Sequence, residues 1–350
     1  MKNRVDGERK ASGSGEAEAA VLNSSCESSH ATSLDSKARA GLPAACLLIP
    51  IAFCLLLNAH GSRLTPAIAG AHDKGRANLL ETGSASKLVK PAPAPSQLKI
   101  VSYNIRWRGG EDLRKLIELL RDDAEVGGAS VIGLQEVDRN KKRTDFANTA
   151  REIAEALGMN YAWAAPPPED EEEETGVTIL SPYKLTDVER MVLPHEGPNK
   201  RRRAAVGATV HVGETPVRFY SVHAETRMPL EKKIEHWRAV LDDLARYPKI
   251  TRAVVVGDFN TIKGKDVRAA RRLFSDAGFQ TPFPDSKKTF KTFIFELKLD
   301  WVWLRGFDEA ESYGIDKQIE LSDHWPLWTK VKFNAAATPS AGARRSDGRP

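Results

Sequence analysis

Six short segments constrain this chain more than anything else in it, because each sets an acid, amide or imidazole at the end of, or within, a β-prone apolar run. They are Val101-Ser-Tyr-Asn-Ile105, Leu134-Gln-Glu-Val-Asp138, Tyr220-Ser-Val-His223, Val256-Gly-Asp-Phe-Asn260, Leu299-Asp-Trp-Val302 and Leu321-Ser-Asp-His-Trp325. An apolar strand that ends in a polar group carries that group to the rim of a sheet, clear of the packed interior. Six strands doing so predict one shared cleft. The collected set holds carboxylates, amides and imidazoles but no thiolate, which suits a hard, oxygen-seeking cation and a phosphate ester.

Between these segments, strand and helix signals alternate. Leu98–Ile105 is β-prone, and Leu113, Leu116, Ile117 and Leu120 then recur at helical spacing. Ser130–Val137 follows as a buried strand, then Ala150, Ile153, Ala154 and Leu157 as a helix that Gly158 stops. Further strands are predicted at Val177–Leu180, Arg203–Val212, Val217–His223, Ala253–Gly257, Leu297–Leu304 and Leu327–Phe333. A long helix carrying Leu230, Ile234, Trp237, Leu241 and Leu244 precedes the strand at 253. Hairpin-like strand pairs interleaved with helices predict mixed sheets covered by helices.

The order, spacing and identity of the six segments, from Leu98 to Phe333, resemble the endonuclease/exonuclease/phosphatase (DNase I-like) superfamily of metal-dependent phosphoesterases. The resemblance implies an α/β fold, a four-layer sandwich of two packed mixed β-sheets flanked by helices. It implies Mg²⁺ or Mn²⁺ as cofactor, held by Glu136 as principal ligand with Asn104 and Asp323 beside it. It casts Asp258 as the water-orienting group or general base and Asn260 as a phosphate-facing amide. It assigns Asp300 as the carboxylate that pairs with His324 and matches His223 to a phosphate-contacting histidine; His324 itself is a base, an acid or an electrostatic clamp on the phosphate, the last being the reading preferred here. His195, His211 and His236 have no such context and receive no role. The chain departs from the family pattern at Pro182, which follows Gly176-Val-Thr-Ile-Leu-Ser181, and at Ala224 after His223.

The flanks have a different character. Residues 1–40 carry no hydrophobic period and are expected to be disordered, and 41–60 enclose the uncharged run Leu42–Leu57 behind Lys37 and Arg39. That run has the positive flank of a secretory signal or a short membrane anchor, which places the catalytic domain outside the cytoplasm, secreted or anchored. A linker is assigned to 61–96, the catalytic domain to 97–334 and a disordered tail to 335–350. All three cysteines precede the domain, so it has no disulfide and no thiolate nucleophile.

The net charge of +5 admits an anionic substrate without singling out nucleic acid. Lys200-Arg-Arg-Arg203 is either a solvated strand entry or a rim facing phosphate or nucleic acid, and Glu169–Glu174 is a loop with no catalytic role. The expected partner is a phosphoester: nucleic acid, phospholipid or a small phosphodiester. Membrane association through Leu42–Leu57 is a further expectation, and no protein partner is predicted. The competing functions are a nuclease acting on DNA or RNA and a non-catalytic binding module on the same fold. Retention of Glu136, Asp258, Asn260, Asp300, Asp323 and His324 together argues against the module, since clustered carboxylates repel when no cation joins them.

Overall fold

Strands that are apolar on both faces need cover on both faces, and here they find it by packing as two sheets with helices outside. The computed structural model describes residues 78–84, 95–167 and 174–333, all within one unit spanning 71–350. Residues 1–40, the Leu42–Leu57 run, positions 169–173 of the acidic loop and the 335–350 tail lie outside the described residues. No described helix is long and apolar enough to cross a membrane.

In chain order the elements begin β1 (Leu80–Ser84), β2 (Gln97–Asn104), α1 (Gly110–Asp122), β3 (Val131–Arg139), α2 (Thr149–Leu157), β4 (Asn160–Ala164) and β5 (Glu174–Ser181). They continue with β6 (Lys184–Val192), β7 (Ala204–Val212), β8 (Thr215–His223), α3 (Leu230–Ala245), β9 (Arg252–Asp258) and α4 (Gly264–Asp276). The chain closes with β10 (Phe290–Lys291), β11 (Glu296–Leu297), β12 (Asp300–Arg305), β13 (Ser312–Ile315) and β14 (Leu327–Lys332). One sheet has the order β1-β4-β5-β3-β2-β14-β13, the second β12-β9-β8-β7-β6, and β10-β11 form a separate hairpin. Two pairs are parallel, β2 with β3 and β8 with β9, each joined through a crossover helix (α1 and α3).

Alternation along the strands sorts the core into three layers. Leu98 and Ile100 of β2 meet Val254 and Val256 of β9 between the sheets. Val101 and Tyr103 face α1 and α2, whereas Ala253 and Val255 face α3 and α4. The sandwich is therefore helix, sheet, sheet, helix, as expected. Its sheets pack tightly at Gly133, where an added Cβ would lie 2.3 Å from Val256 Cγ2. Just beyond, Gln135 Nε2 donates to Ser221 Oγ at 3.0 Å, and Ser221 Oγ donates to the Leu134 carbonyl at 3.0 Å, a buried polar clasp between the sheets.

The expected linker 61–96 is corrected in part, because Leu80–Ser84 pair with β4 as an edge strand. Its anchor is Glu81, which accepts from Arg139, Arg151, Tyr161 and Asn148. That partnership is assembled from distant positions and leaves no local pattern. Strands β4, β6 and β13, helix α4 and the β10-β11 hairpin were likewise not anticipated. β6 is a half-exposed edge without clean alternation, and β10 and β11 are two residues each.

Gly133→Val places methyl groups into this tight sheet-to-sheet contact. Urea denaturation is expected to show a loss of about 1–3 kcal/mol. A wild-type midpoint would contradict the packing described.

Candidate active site

The register of the two sheets brings the six segments to one rim. β2 and β3 run parallel and end there, as do β8 and β9, while the antiparallel β12 and β14 begin there. His223 pairs with Asp258 across β8 and β9, and Asp258 with Asp300 across β9 and β12. Asn104, Glu136 and His324 come from the first sheet and its loops, and His223, Asp258 and Asp300 from the second. The site exists only where both sheets meet.

Glu136 reaches the cleft through a backbone irregularity. Ile132 and Leu134 face the helices, so strict alternation would bury Glu136 beneath α1 and α2. A bulge between Gln135 and Val137, with Glu136 at φ 56°, hands the helix-facing position to Val137 and turns the carboxylate to the rim. Arg106, Trp107 and Asn260, near the same cleft, also have positive φ. Gly257, at φ 139°, lets β9 pass against Val222, whose carbonyl would lie 2.0 Å from a Cβ.

The Asn104 amide sits at the centre. Its Nδ2 donates to Glu136 Oε1 and to Asp258 Oδ2, both at 3.2 Å, and lies 3.4 Å from His324 Nε2. His324 Nδ1 meets Asp300 Oδ2 at 2.8 Å, leaving Nε2 3.7 Å from Asp258 Oδ2. Burial works against the charged imidazole, but Asp300 and Asp258 outweigh it and hold His324 protonated well above its ordinary range. His223 is the opposite case. Burial, then the nearby Arg203 and His324 charges, keep it neutral. Arg203 Nη1 lies 3.3 Å from its Nδ1, so the ring proton belongs on Nε2, which faces Asp258 at 3.6 Å and Glu136 at 3.9 Å.

Asp258 is pushed above the usual carboxylate range by burial, with His324 opposing and Asp300 and Glu136 adding to the rise. Its Oδ1 accepts from the Asn260 amide N–H at 2.9 Å, while Asn260 Nδ2 donates to the Ala224 carbonyl at 2.9 Å. The Asn260 NH₂ group thus ties the ends of β8 and β9 together. Ala224 serves through its backbone, which also bonds the Asp258 carbonyl at 2.8 Å. Asp323 lies at the mouth, paired with Arg106 at 3.0 Å and less exposed than that arginine.

A hard divalent cation fits this arrangement. Two carboxylate oxygens, from Glu136 and Asp258, converge on one amide nitrogen, which leaves buried negative charge short of compensation. Asp258, Asp300 and His324 also offer atoms within 4.8 Å of one another. There, however, the Asp300–His324 bond already engages one oxygen and one ring nitrogen, which makes that trio a proton-holding pair beside a carboxylate.

Several positioning residues gave no sequence signal as such. Thr289 Oγ1 accepts from the Leu299 and Asp300 amides, both at 3.0 Å, and the Thr289 carbonyl accepts from Trp325 N–H at 2.8 Å. It joins the Asp300 and His324 segments. Ser322 Oγ donates to the Asn104 carbonyl at 2.8 Å, and Phe290 packs edge-on against His324 at 4.7 Å. In the Lys200–Arg203 run, Arg201 and Arg203 both bind the buried Glu225, Arg202 pairs with Glu196 at the surface, and Lys200 is exposed. Ser322 and the clasp pair Gln135 and Ser221 sat inside the six segments. Thr289 did not.

The family profile described as "Endonuclease/Exonuclease/phosphatase family" matches residues 101–324. No curated protein matches the chain. Among solved structures, an endonuclease/exonuclease/phosphatase from Beutenbergia cavernae DSM 12333 aligns with TM-score 0.54 at 17% identity, over 69% of this chain and 73% of that one. A humanized D. rerio TDP2 aligns with TM-score 0.54 at 17% identity, over 68% of this chain and 100% of its own. A mannosyl-6-phosphatase from Bacteroides thetaiotaomicron VPI-5482 gives TM-score 0.52 at 16% identity, over 67% and 100%. At these identities the likeness to the solved structures is one of fold.

The Glu225 cluster that steadies Arg203 has a pH signature. Burial opposes the Glu225 charge, but Arg201 and Arg203 overcome it and bring the carboxyl from 4.5 down to about 2. Its stabilisation is therefore complete above pH 4.5 and is lost as pH falls through about 2. Glu225→Gln is expected to lower stability near neutrality by on the order of 2–3 kcal/mol and to flatten the acid limb of a stability-against-pH series. An unchanged acid limb would sink the assignment.

Proposed function

The chain belongs to the endonuclease/exonuclease/phosphatase family and is a phosphoester hydrolase, and we propose that it is a divalent-metal-dependent phosphodiesterase working through the Asn104, Glu136, His223, Asp258, Asp300 and His324 cluster. The observation that carries this reading is the convergence of Glu136 and Asp258 on the Asn104 amide beside an imidazolium held by Asp300. Glu136 would hold Mg²⁺ or Mn²⁺, with Asn104 contributing through its Oδ1, which here accepts from the Arg106 amide at 3.2 Å, and Asp323 at the mouth as the third candidate. Such a cation neutralises charge that grows on the phosphoryl group and the departing oxygen.

The chain's own groups account for the remaining work. Asp258 is held by the Asn260 amide, orients a water and accepts its proton as the water attacks phosphorus. His324 presents Nε2–H to a phosphoryl oxygen, and Asp300 keeps the ring charged and oriented. His223 adds a neutral Nε2–H donor from the other side, its tautomer set by Arg203. Asn260 keeps the ends of β8 and β9 together so that these donors stay aimed. In this proposal the Leu42–Leu57 run exports or anchors the domain.

A second reading, of substrate, is favoured by an exposed apolar tip. Phe293, Ile294 and Phe295 are 105%, 72% and 40% exposed at the end of the β10-β11 hairpin, whose base carries Phe290 against His324. Thr292 orders the tip by accepting from the Ile294 and Phe295 amides. A formed turn that displays three large apolar side chains beside the site suits a phosphodiester presented at a lipid surface. In the basic run expected to face phosphate or nucleic acid, Arg201 and Arg203 are engaged by Glu225 and Arg202 by Glu196.

His324→Ala and Glu136→Ala are each expected to lower turnover of a generic phosphodiester by about 10²–10⁴-fold, with the melting temperature kept. Chelator should abolish wild-type turnover, and Mg²⁺ or Mn²⁺ should restore it. Near-normal, chelator-resistant turnover in either variant would refute the site.

For the lipid reading, Phe293→Ser combined with Ile294→Ser should weaken binding to phospholipid vesicles and hydrolysis there. Turnover of the soluble phosphodiester should be unaffected. Preferred cleavage of plasmid DNA or RNA, indifferent to the tip, would select the nuclease instead.

A further inference from the structure

Lys233 stands where packing calls for an apolar side chain. It lies in the first turn of α3, and Trp237 and Val240 continue the buried stripe of that helix beyond it. Lys233 is only 2% exposed, and its Nζ donates to Asp266 Oδ2 at 3.0 Å and to the Asn260 carbonyl at 2.7 Å. Asp266, buried in the first turn of α4, accepts from the Lys263 amide at 3.3 Å with the same oxygen. A buried ion pair adds little to the stability of a fold, because desolvation of two charges offsets most of their attraction. An apolar pair would join α3 to α4 as firmly.

What an apolar pair would not do is hold a carbonyl. Asn260 has φ 51°, and its carbonyl accepts from Ile262 N–H at 2.9 Å as well as from Lys233, so the turn that closes β9 is pinned from the helix side. The same residue donates its backbone N–H to Asp258 Oδ1 at 2.9 Å and its side-chain amide to the Ala224 carbonyl at 2.9 Å. Asn260 therefore links a buried ammonium to the carboxylate at the centre of the site. Helix α3 is also the crossover between β8 and β9, so the element that joins the His223 strand to the Asp258 strand holds the end of the second.

We propose that Lys233 is a positioning residue for phosphoester hydrolysis: its ammonium fixes the Asn260 turn and, through the Asn260 N–H, the direction of the Asp258 carboxylate. This rests on the reading of Asp258 as the group that orients the attacking water. Asp266 balances the charge of the ammonium and has no part in aiming the carboxylate.

Two variants of the full chain separate positioning from packing. Asp266→Asn keeps the ammonium on the Asn260 carbonyl but removes its counter-charge. Adding Lys233→Met removes both charges, fills the helix position with an unbranched apolar side chain and releases the carbonyl. Each is assayed for turnover of bis-para-nitrophenyl phosphate with Mg²⁺, for melting temperature, and for metal-free amide exchange over residues 259–262. Asp266→Asn should melt lower than wild type, with kcat within about twofold of it. The double variant should melt higher than Asp266→Asn, because no buried charge is left unpaired. It should nevertheless lose about 10- to 100-fold in kcat with little change in KM, and exchange faster at Asn260. Wild-type kcat in the double variant overturns the proposal and leaves the pair a helix-packing contact. A fall in kcat that Asp266→Asn shares in full assigns the effect to the ion pair and overturns it equally. Asp258→Asn tells this failure from failure of the underlying reading: it should lower kcat whatever Lys233 does, and wild-type kcat there would sink the water-orienting role and the proposal with it.

Discussion

The close approach of the two sheets at Gly133 is the constraint on which the rest of the site depends. Only a residue without a Cβ lets β3 meet Val256 there, and the Gln135–Ser221 clasp lies two positions further along the same face. Because Asn104, Glu136 and His324 belong to one sheet and His223, Asp258 and Asp300 to the other, the spacing of the sheets is also the spacing of the reacting groups. A small change in that gap moves every cross-sheet distance at the rim together. The glycine is therefore a matter of packing whose consequence is chemical.

Electrostatics then divides labour between groups of the same type. His324 and His223 are both almost wholly buried, yet one is held charged and the other neutral. The difference lies in their neighbours: Asp300 at 2.8 Å from one ring, Arg203 at 3.3 Å from the other. The site thereby presents one cationic and one neutral donor around a carboxylate that burial makes more basic than usual. Glu225 extends this arrangement outward. By gathering Arg201 and Arg203 it turns a basic surface run into a scaffold for His223.

Strained backbone marks the same place. Glu136 and Asn260 both have positive φ, and neither is a residue for which that conformation comes free. In β3 the distortion solves a particular problem, because regular alternation would have aimed the carboxylate into the helix-covered core. The bulge exchanges Glu136 for Val137 on that face, so an apolar side chain goes where packing needs one. Packing against the neighbouring sheet and helices has to sustain the strain.

Much of this was legible in the sequence. The six apolar runs with terminal polar groups predicted a shared rim, alternating strand and helix signals predicted mixed sheets covered by helices, and the resemblance to the family implied the four-layer sandwich that the core clusters show. The residues meeting at the Asn104 amide were all named from those runs. What escaped depended on distant partners or on the backbone. Edge strand β1 is anchored through Glu81 by residues 58 to 80 positions away, and Thr289 acts by two hydrogen bonds that no periodicity encodes. The local chain determined which chemical groups end at the rim, because apolar period and strand termination are properties of short segments. Only the tertiary structure decided which way Glu136 points and which histidine is charged, because burial, bulges and counter-charges arise when distant segments pack together.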